Sequence, residues 1–250
     1  MSLSVDLNAD LGEGAGHDEE LLALVTSANI ACGLHAGTAA MMRASMRTAQ
    51  ARGVAIGAHP GFDDRENFGR REMAVGDEDV FALVVYQLGA FQAIAQSLGM
   101  RAQHVKPHGA LYNMAARDEA IADAIARAVR AVDPNLLVFA PAASALSRAA
   151  EANELHVVRE VFADRNYLAD GSLVPRDHPE ALLHDPVEAA NRVFAMLRDD
   201  KVRAIDGTDV PVHVDTICVH GDTPGAVAFA RELRLCLAQT GVTIAPPRAG

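Results

Sequence analysis

Six apolar runs in this chain end in residues able to move protons or hold anions. Asp6, Asn8 and Asp10 follow the first run, and His35 lies just past Ala28-Asn29-Ile30-Ala31-Cys32. His59 closes Val54–Ala58, and Lys106 with His108 closes the run containing Val105. Glu160 and Asp164 flank Val161-Phe162, and His220 with Asp222 closes Ile217-Cys218-Val219. Ionisable groups at strand ends add nothing to a core. Repeated in strand after strand, they point to general acid–base chemistry gathered at one end of a parallel sheet or barrel.

The elements that must position these groups are legible. Seven β-rich segments lie near residues 3–8, 28–32, 54–58, 103–107, 136–140, 157–161 and 215–219, each followed by a helical pattern. Thr38 is placed to cap a helix through Met42 and Met46 that stops near Gly53, and Asp77 opens a long apolar-periodic stretch that stops at Gly99. Asp185-Pro186 and Thr223-Pro224 each set proline after an N-cap, and the last helix stops at Gly241. Strand–helix alternation implies parallel strands with right-handed crossovers. Polar residues after nearly every strand favour a barrel over an open sheet, which would concentrate them at one switch point. The expected fold is therefore α/β, an irregular seven-stranded (β/α) barrel of parallel strands, with residues 1–250 as one domain. The polar, Gly- and Pro-containing stretch from Asp164 to Asp185 reads as a functional lid or an extra hairpin.

Composition narrows the function. Half of the 250 residues are hydrophobic, enough for a sizeable core, and the net charge of −11 without a basic patch argues against nucleic acid or an anionic membrane as partner. No apolar stretch reads as long enough to span a bilayer, and the N-terminus lacks the features of a signal peptide. Cys32, Cys218 and Cys236 are odd in number and far apart, so a reduced, cytoplasmic protein is expected, with Cys32 and Cys218 as small buried hydrophobes. There is no phosphate-binding loop, no dinucleotide fingerprint and no GxSxG elbow, which removes serine nucleophilic catalysis.

Alternation sends Asp6, Asn8 and Asp10 to one face of the first strand, where two carboxylates need a cation, a metal or a bound proton. Pro60 forces His59 out of helical geometry. With His35 and Asp10 it is a candidate metal set or acid–base pair, but the HxxxH spacing of a zinc helix is absent and no tightly bound ion is predicted. Asn67-Phe68-Gly69-Arg70-Arg71 brings paired guanidinium groups to a glycine turn, suited to a carboxylate or phosphate. The chain has only two lysines, and Lys106, unlike Lys201, lies at the end of a buried strand, where it needs a partner such as Asp10 or Glu160.

Together these segments resemble the LamB/YcsF family. The resemblance rests on DLNADLGEG, SANIACGLHAG, GAHPGF with FGRR, VKPHGALYN, EVFADRNY with a later GSLVPR, and CVHGD, in order over residues 6–222. It implies the first component of a prokaryotic 5-oxoprolinase, which opens 5-oxo-L-proline to L-glutamate at the expense of ATP, with Mg accompanying the nucleotide and with partner subunits B and C. Self-association stays open. Thr38-Ala39 stands where the family usually has Asp-Pro, and the stretch 62–67 is more acidic than expected, so Asp63 and Asp64 are weak site candidates.

Opening a phosphorylated lactam needs a base for water, an acid for the ring nitrogen, and cations for phosphate and carboxylate. Asp10 or Glu160 is the candidate base, His59 or His108 the proton carrier, and Lys106 the group that neutralises the phosphorylated oxygen. Arg70 or Arg71 would bind the substrate carboxylate. Asn8, Glu13, His35, Tyr112, Asn113, Arg165, Arg176 and His220 complete the candidate substrate contacts. Without a nucleotide motif here, phosphoryl transfer is expected to need the partners. The rival readings are a metal-dependent amide hydrolase or deacetylase with Asp10, His35 and His59 as ligands, and a non-catalytic ligand-binding regulator.

Overall fold

The computed structural model describes residues 3–175, 178–219 and 225–247. Seven parallel strands close a barrel: β1 (Ser4–Leu11), β2 (Ser27–Ala31), β3 (Ala55–His59), β4 (His104–Val105), β5 (Leu137–Pro141), β6 (Val157–Phe162) and β9 (Thr216–Val219). Closure runs through β9, which pairs with both β6 and β1 and sets Thr216 beside Glu160 on one side and Asp6 on the other. All seven expected strands are present. The irregularities are an antiparallel hairpin, β7 (Lys201–Arg203) and β8 (Asp209–Pro211), inserted before β9, and a short β10 (Thr243–Ile244) that extends the sheet beside the start of β1.

The helices are α1 (Asp18–Leu21), α2 (Ala39–Arg52), α3 (Asp77–Ser97), α4 (Gly109–Ala115), α5 (Glu119–Val132), α6 (Ala145–Ala152), α7 (Pro186–Asp199) and α8 (Ala226–Gln239). The capping signals act as read. Thr38 Oγ1 accepts from the Met41 N–H (3.2 Å), and Asp185 accepts from the N–H groups of Val187 and Glu188 with Pro186 opening α7. Thr223-Pro224 lies outside the described residues. One expectation is corrected: α3 is 21 residues long and, by length and composition alone, apolar enough to cross a membrane. Here its Val80, Val84, Leu88 and Phe91 face packs into the core. The stretch after Asp164 forms isolated antiparallel bridges, Arg165 with Leu182 and Tyr167 with Leu173, while the longer hairpin lies at β7–β8.

The main core sits between barrel and helices. Leu7, Ala9 and Leu11 of β1, Ile30 of β2, Val138 of β5 and Ile217 of β9 point outward onto buried Met46, Leu88, Ile125 and Leu233. The residues alternating with them point inward, and on most strands they are polar: Asp6, Asn8, Asn29, His104, Glu160 and Thr216 are all buried. Burying polar groups is tolerable when they are paired, and each of these side chains makes at least one hydrogen bond, although His104 Nδ1 has none among the described residues. Asp6 accepts from the hydroxyls of Thr26, Ser27 and Thr216 at the barrel floor. One level up, Asn8 donates to Glu160 (3.0 Å) and Thr216 (2.8 Å) and accepts from Asn29 (2.7 Å), whose own oxygen meets His104 Nε2 (2.8 Å).

Burial outweighs the three hydroxyls and raises the Asp6 pKa from 3.8 to about 6. Below the unfolded value both states hold the proton. As pH rises from about 4 to 6 the unfolded chain loses it first, so this group's contribution falls by about 3 kcal/mol across that window. Asp6→Asn is expected to lack that term. Its stability relative to the native chain should rise by about that amount between pH 4 and 7, measured by urea denaturation at each pH. A pH-independent difference would refute the assignment.

Candidate active site at the barrel mouth

Above the Asn8 layer, the C-terminal ends of β1, β3 and β4 bring Asp10, His59 and Lys106 together. The Lys106 ammonium is buried, 3.0 Å from Asp10 Oδ1, 2.9 Å from Glu160 Oε1 and 3.0 Å from Cys218 Sγ, with the Phe162 ring 5.5 Å away. An ammonium has three hydrogens: Asp10 Oδ1, Cys218 Sγ and, at 3.5 Å, Asn8 Oδ1 accept from it, while Glu160 faces it as an ion pair. Burial alone would lower its pKa, but the two carboxylates outweigh burial and hold it well above its usual value. Cys218 is therefore more than a small hydrophobe: burial pushes its thiol pKa far up, so it meets Lys106 as a neutral acceptor.

The two candidate bases are not equivalent. Glu160 is enclosed: it accepts from Asn8 and the Tyr112 hydroxyl (2.6 Å) and pairs with the Lys106 ammonium, which leaves it no direction toward a substrate. Asp10 is held by Lys106 and Asn29 through Oδ1 (3.0 and 2.8 Å) and keeps 11 % of its side chain exposed at the mouth, with Oδ2 3.4 Å from His59 Nε2. Of the two carboxylates, Asp10 is the one that reaches the surface of the mouth.

Beside Asp10, three imidazoles close around Glu13. Glu13 Oε1 lies 3.2 Å from His35 Nε2, 3.2 Å from His108 Nδ1 and 3.7 Å from His59 Nε2. The ring tautomers follow from their outer contacts. A carbonyl oxygen only accepts, so His59 Nδ1 donates to Lys106 O (2.7 Å) and His108 Nε2 donates to Phe68 O (2.8 Å). That turns His59 Nε2 and His108 Nδ1 toward each other at 2.9 Å, a contact between two lone pairs unless one carries a proton. Burial disfavours charge on His59, but Asp10 and Glu13 outweigh it and raise its pKa, while burial lowers His108 and brings His35 down to about 4. Burial would raise Glu13, yet its contacts with His108 and His35 bring it down to about 2. The shared proton thus belongs to His59.

Glycines seat these rings. A Cβ at Gly61 would fall 2.7 Å from His35 Nδ1, and one at Gly69, whose φ is +64°, would fall 2.7 Å from His35 Cβ and 3.1 Å from His108 Cδ2. Gly69→Ala is expected to cost about 2–4 kcal/mol, combining a left-handed backbone with a clash against packed rings. A thermal melt within a few degrees of the native chain would contradict it. Asp18 fixes the neighbouring turn, accepting from the Gly12 N–H (2.8 Å) and the Ser45 hydroxyl (2.9 Å).

The chain matches the LamB/YcsF family model over residues 5–250. It belongs to the LamB/YcsF family. Among solved structures, this LamB/YcsF chain is similar to one described as a lactam utilization protein from Thermus thermophilus. The two are 47% identical, with 97% of this chain and 99% of that one covered and a TM-score of 0.92. A structure described as T48 deacetylase with substrate is 16% identical, with 97% and 87% of the two chains covered and a TM-score of 0.50. That likeness is one of fold alone.

Of the sequence-derived candidates in this LamB/YcsF barrel, Asn8, Asp10, Glu13, His35, His59, Lys106, His108, Tyr112 and Glu160 converge. Arg70 is exposed at the rim, its guanidinium 4.9 Å above the Phe68 ring that edges His35 and His108, and exposed Arg71 pairs with Asp64 (3.4 Å). Two expectations are corrected. Asn113 lies on the exposed side of α4, since the helix period turns it away from its neighbour Tyr112. Arg165 is buried in the loop after β6, donating to the Val174 carbonyl (2.6 Å). Arg176, His220 and Asp222 lie outside the described residues. The metal candidates shift too: His35 and His59 stay, but Glu13 and His108 replace Asp10 in the tightest donor group. Sequence reasoning missed Asn29, which ties Asp10, Asn8 and His104 together. Its signal was an amide inside an apolar run. Cys218 gave no signal at all.

Proposed function

We propose that this chain is the ring-opening subunit of an ATP-dependent 5-oxoprolinase, converting 5-oxo-L-proline to L-glutamate together with partner subunits B and C. The observation that carries the reading is Asp10: a partly exposed carboxylate at the barrel mouth, held by Lys106 and Asn29 through Oδ1 and set beside the His59 imidazole through Oδ2. The similarity to a lactam utilization protein supports the substrate class.

A lactam carbonyl is a poor electrophile. Phosphorylation of its oxygen, assigned to the partner subunits with ATP and Mg, converts it to an imidate whose carbon accepts water. Asp10 takes a proton as water adds, and the water's two protons pass by way of Asp10 to the ring nitrogen. The first arrives on addition and the second as the C–N bond breaks. The product is an acyl phosphate of glutamate, and a second water releases phosphate. Lys106 acts through Asp10, holding the carboxylate in its orientation, and Arg70 at the rim binds the substrate carboxylate.

The test is reconstitution. This chain combined with partner subunits B and C should form glutamate and ADP from 5-oxoproline and ATP. Omitting this chain should abolish glutamate formation. Undiminished glutamate formation without it would end the proposal.

A further inference from the structure

Glu13, His35, His59 and His108 present four ligand atoms that all lie within 4.8 Å of one another, three of the four side chains being buried imidazoles. We infer that Glu13, His59 and His108, with His35 stacked beside them on His108, bind one divalent cation of the zinc class. This goes beyond the proposed reaction and does not depend on it: the site would exist whatever the substrate.

Three observations carry it. The first is spacing. Metal–ligand bonds of roughly 2.0–2.2 Å in a tetrahedral set place neighbouring donor atoms roughly 3.4 Å apart. Here Glu13 Oε1 lies 3.2, 3.2 and 3.7 Å from the three ring nitrogens, and His59 Nε2 lies 2.9 Å from His108 Nδ1. The second is orientation. The outer nitrogens of His59 and His108 donate to the carbonyls of Lys106 and Phe68, which leaves both inner nitrogens beside Glu13 Oε1 and each other. Backbone carbonyls hold metal-binding imidazoles in the same way. The third is charge. Among the described residues the nearly buried Glu13 carboxylate pairs only with the three imidazoles. With neutral rings its charge has no cation beside it, and a divalent ion supplies one. Imidazole nitrogens with a carboxylate oxygen suit Zn²⁺ or Co²⁺ better than Mg²⁺ or Ca²⁺, which prefer all-oxygen sets.

His35 stands apart from the ligands. Its ring is stacked on His108, with centroids 3.9 Å apart and planes 4° from parallel, so its in-plane lone pair cannot meet the ion that His108 holds, and its buried Nδ1 has no hydrogen-bond partner among the described residues. His35→Ala is therefore expected to weaken binding less than His59→Ala or His108→Ala.

The test uses the full chain, stripped with a chelator and titrated with ZnCl₂ or CoCl₂ in a calorimeter. The expected result is one ion per chain, with affinity lowered ~100-fold or more by Glu13→Gln, His59→Ala or His108→Ala, and unchanged by His17→Ala or His213→Ala on the surface. No binding, or binding that survives the three site variants, would overturn the inference. Because those variants could misfold, X-ray absorption on the native chain loaded with Co²⁺ gives an independent reading. A shell of two or more imidazoles with one or more oxygens supports the site, and a shell with fewer than two imidazoles rejects it. Neither readout involves 5-oxoproline, so failure here and failure of the proposed reaction are distinguishable.

Discussion

Lys106→Met is expected to destabilise the chain by about 3–5 kcal/mol, the cost of leaving buried charge without its partner. Methionine fills the space of the lysine stem, so the loss is electrostatic. It falls mainly on Glu160, because Asp10 keeps Asn29 and the His59 imidazole whereas Glu160 keeps only the neutral donors of Asn8 and Tyr112. The double variant Lys106→Met/Glu160→Gln should therefore recover part of the lost stability, and Lys106→Met/Asp10→Asn should recover less. Urea denaturation of the four chains decides the matter. A single variant as stable as the native chain would show that Lys106 does not balance these carboxylates.

Asp10→Asn is expected to lower glutamate formation in the reconstituted complex by ~10²–10⁴-fold, the range for removing a positioned general base. The amide oxygen can still accept from Lys106 and Asn29, so the melting temperature should change little. That separates chemistry from folding: turnover falls while the fold persists. Activity within ~10-fold of the native complex would be incompatible with Asp10 as the base. Parallel loss of stability and activity would make it a structural residue instead. The enclosed Glu160 should show that second pattern, since its replacement loosens Lys106 and Tyr112 before it touches any substrate.

Much of the fold was legible because its signals are local. A strand of the barrel reads as an apolar run, and helices announce themselves through Thr38 and Asp185 caps that depend on neighbours within four residues. The short β7–β8 hairpin and β10 did not read because three-residue and two-residue strands have no periodicity to detect. Within the site, Lys106 stood out by rarity and Asp10 by alternation. Cys218 and Asn29 lay inside apolar runs, and nothing in their neighbours announces a partner on another strand.

The sequence by itself determined the strand order of chemistry: which apolar runs end in Asp10, His35, His59, Lys106 and Glu160, and that a parallel barrel would turn those ends the same way. Only the tertiary structure decided how the groups divide the work. Barrel closure places Lys106 between Asp10 and Glu160, residues 96 positions from the first on one side and across β6 on the other, and so encloses one carboxylate while leaving the second at the mouth. It also brings Glu13 under three imidazoles from the ends of β2, β3 and β4 or just past them, 22 positions away in the nearest case. Distances of about 3 Å between charges set protonation and metal affinity, and such distances belong to the closed barrel, not to the order of residues along the chain.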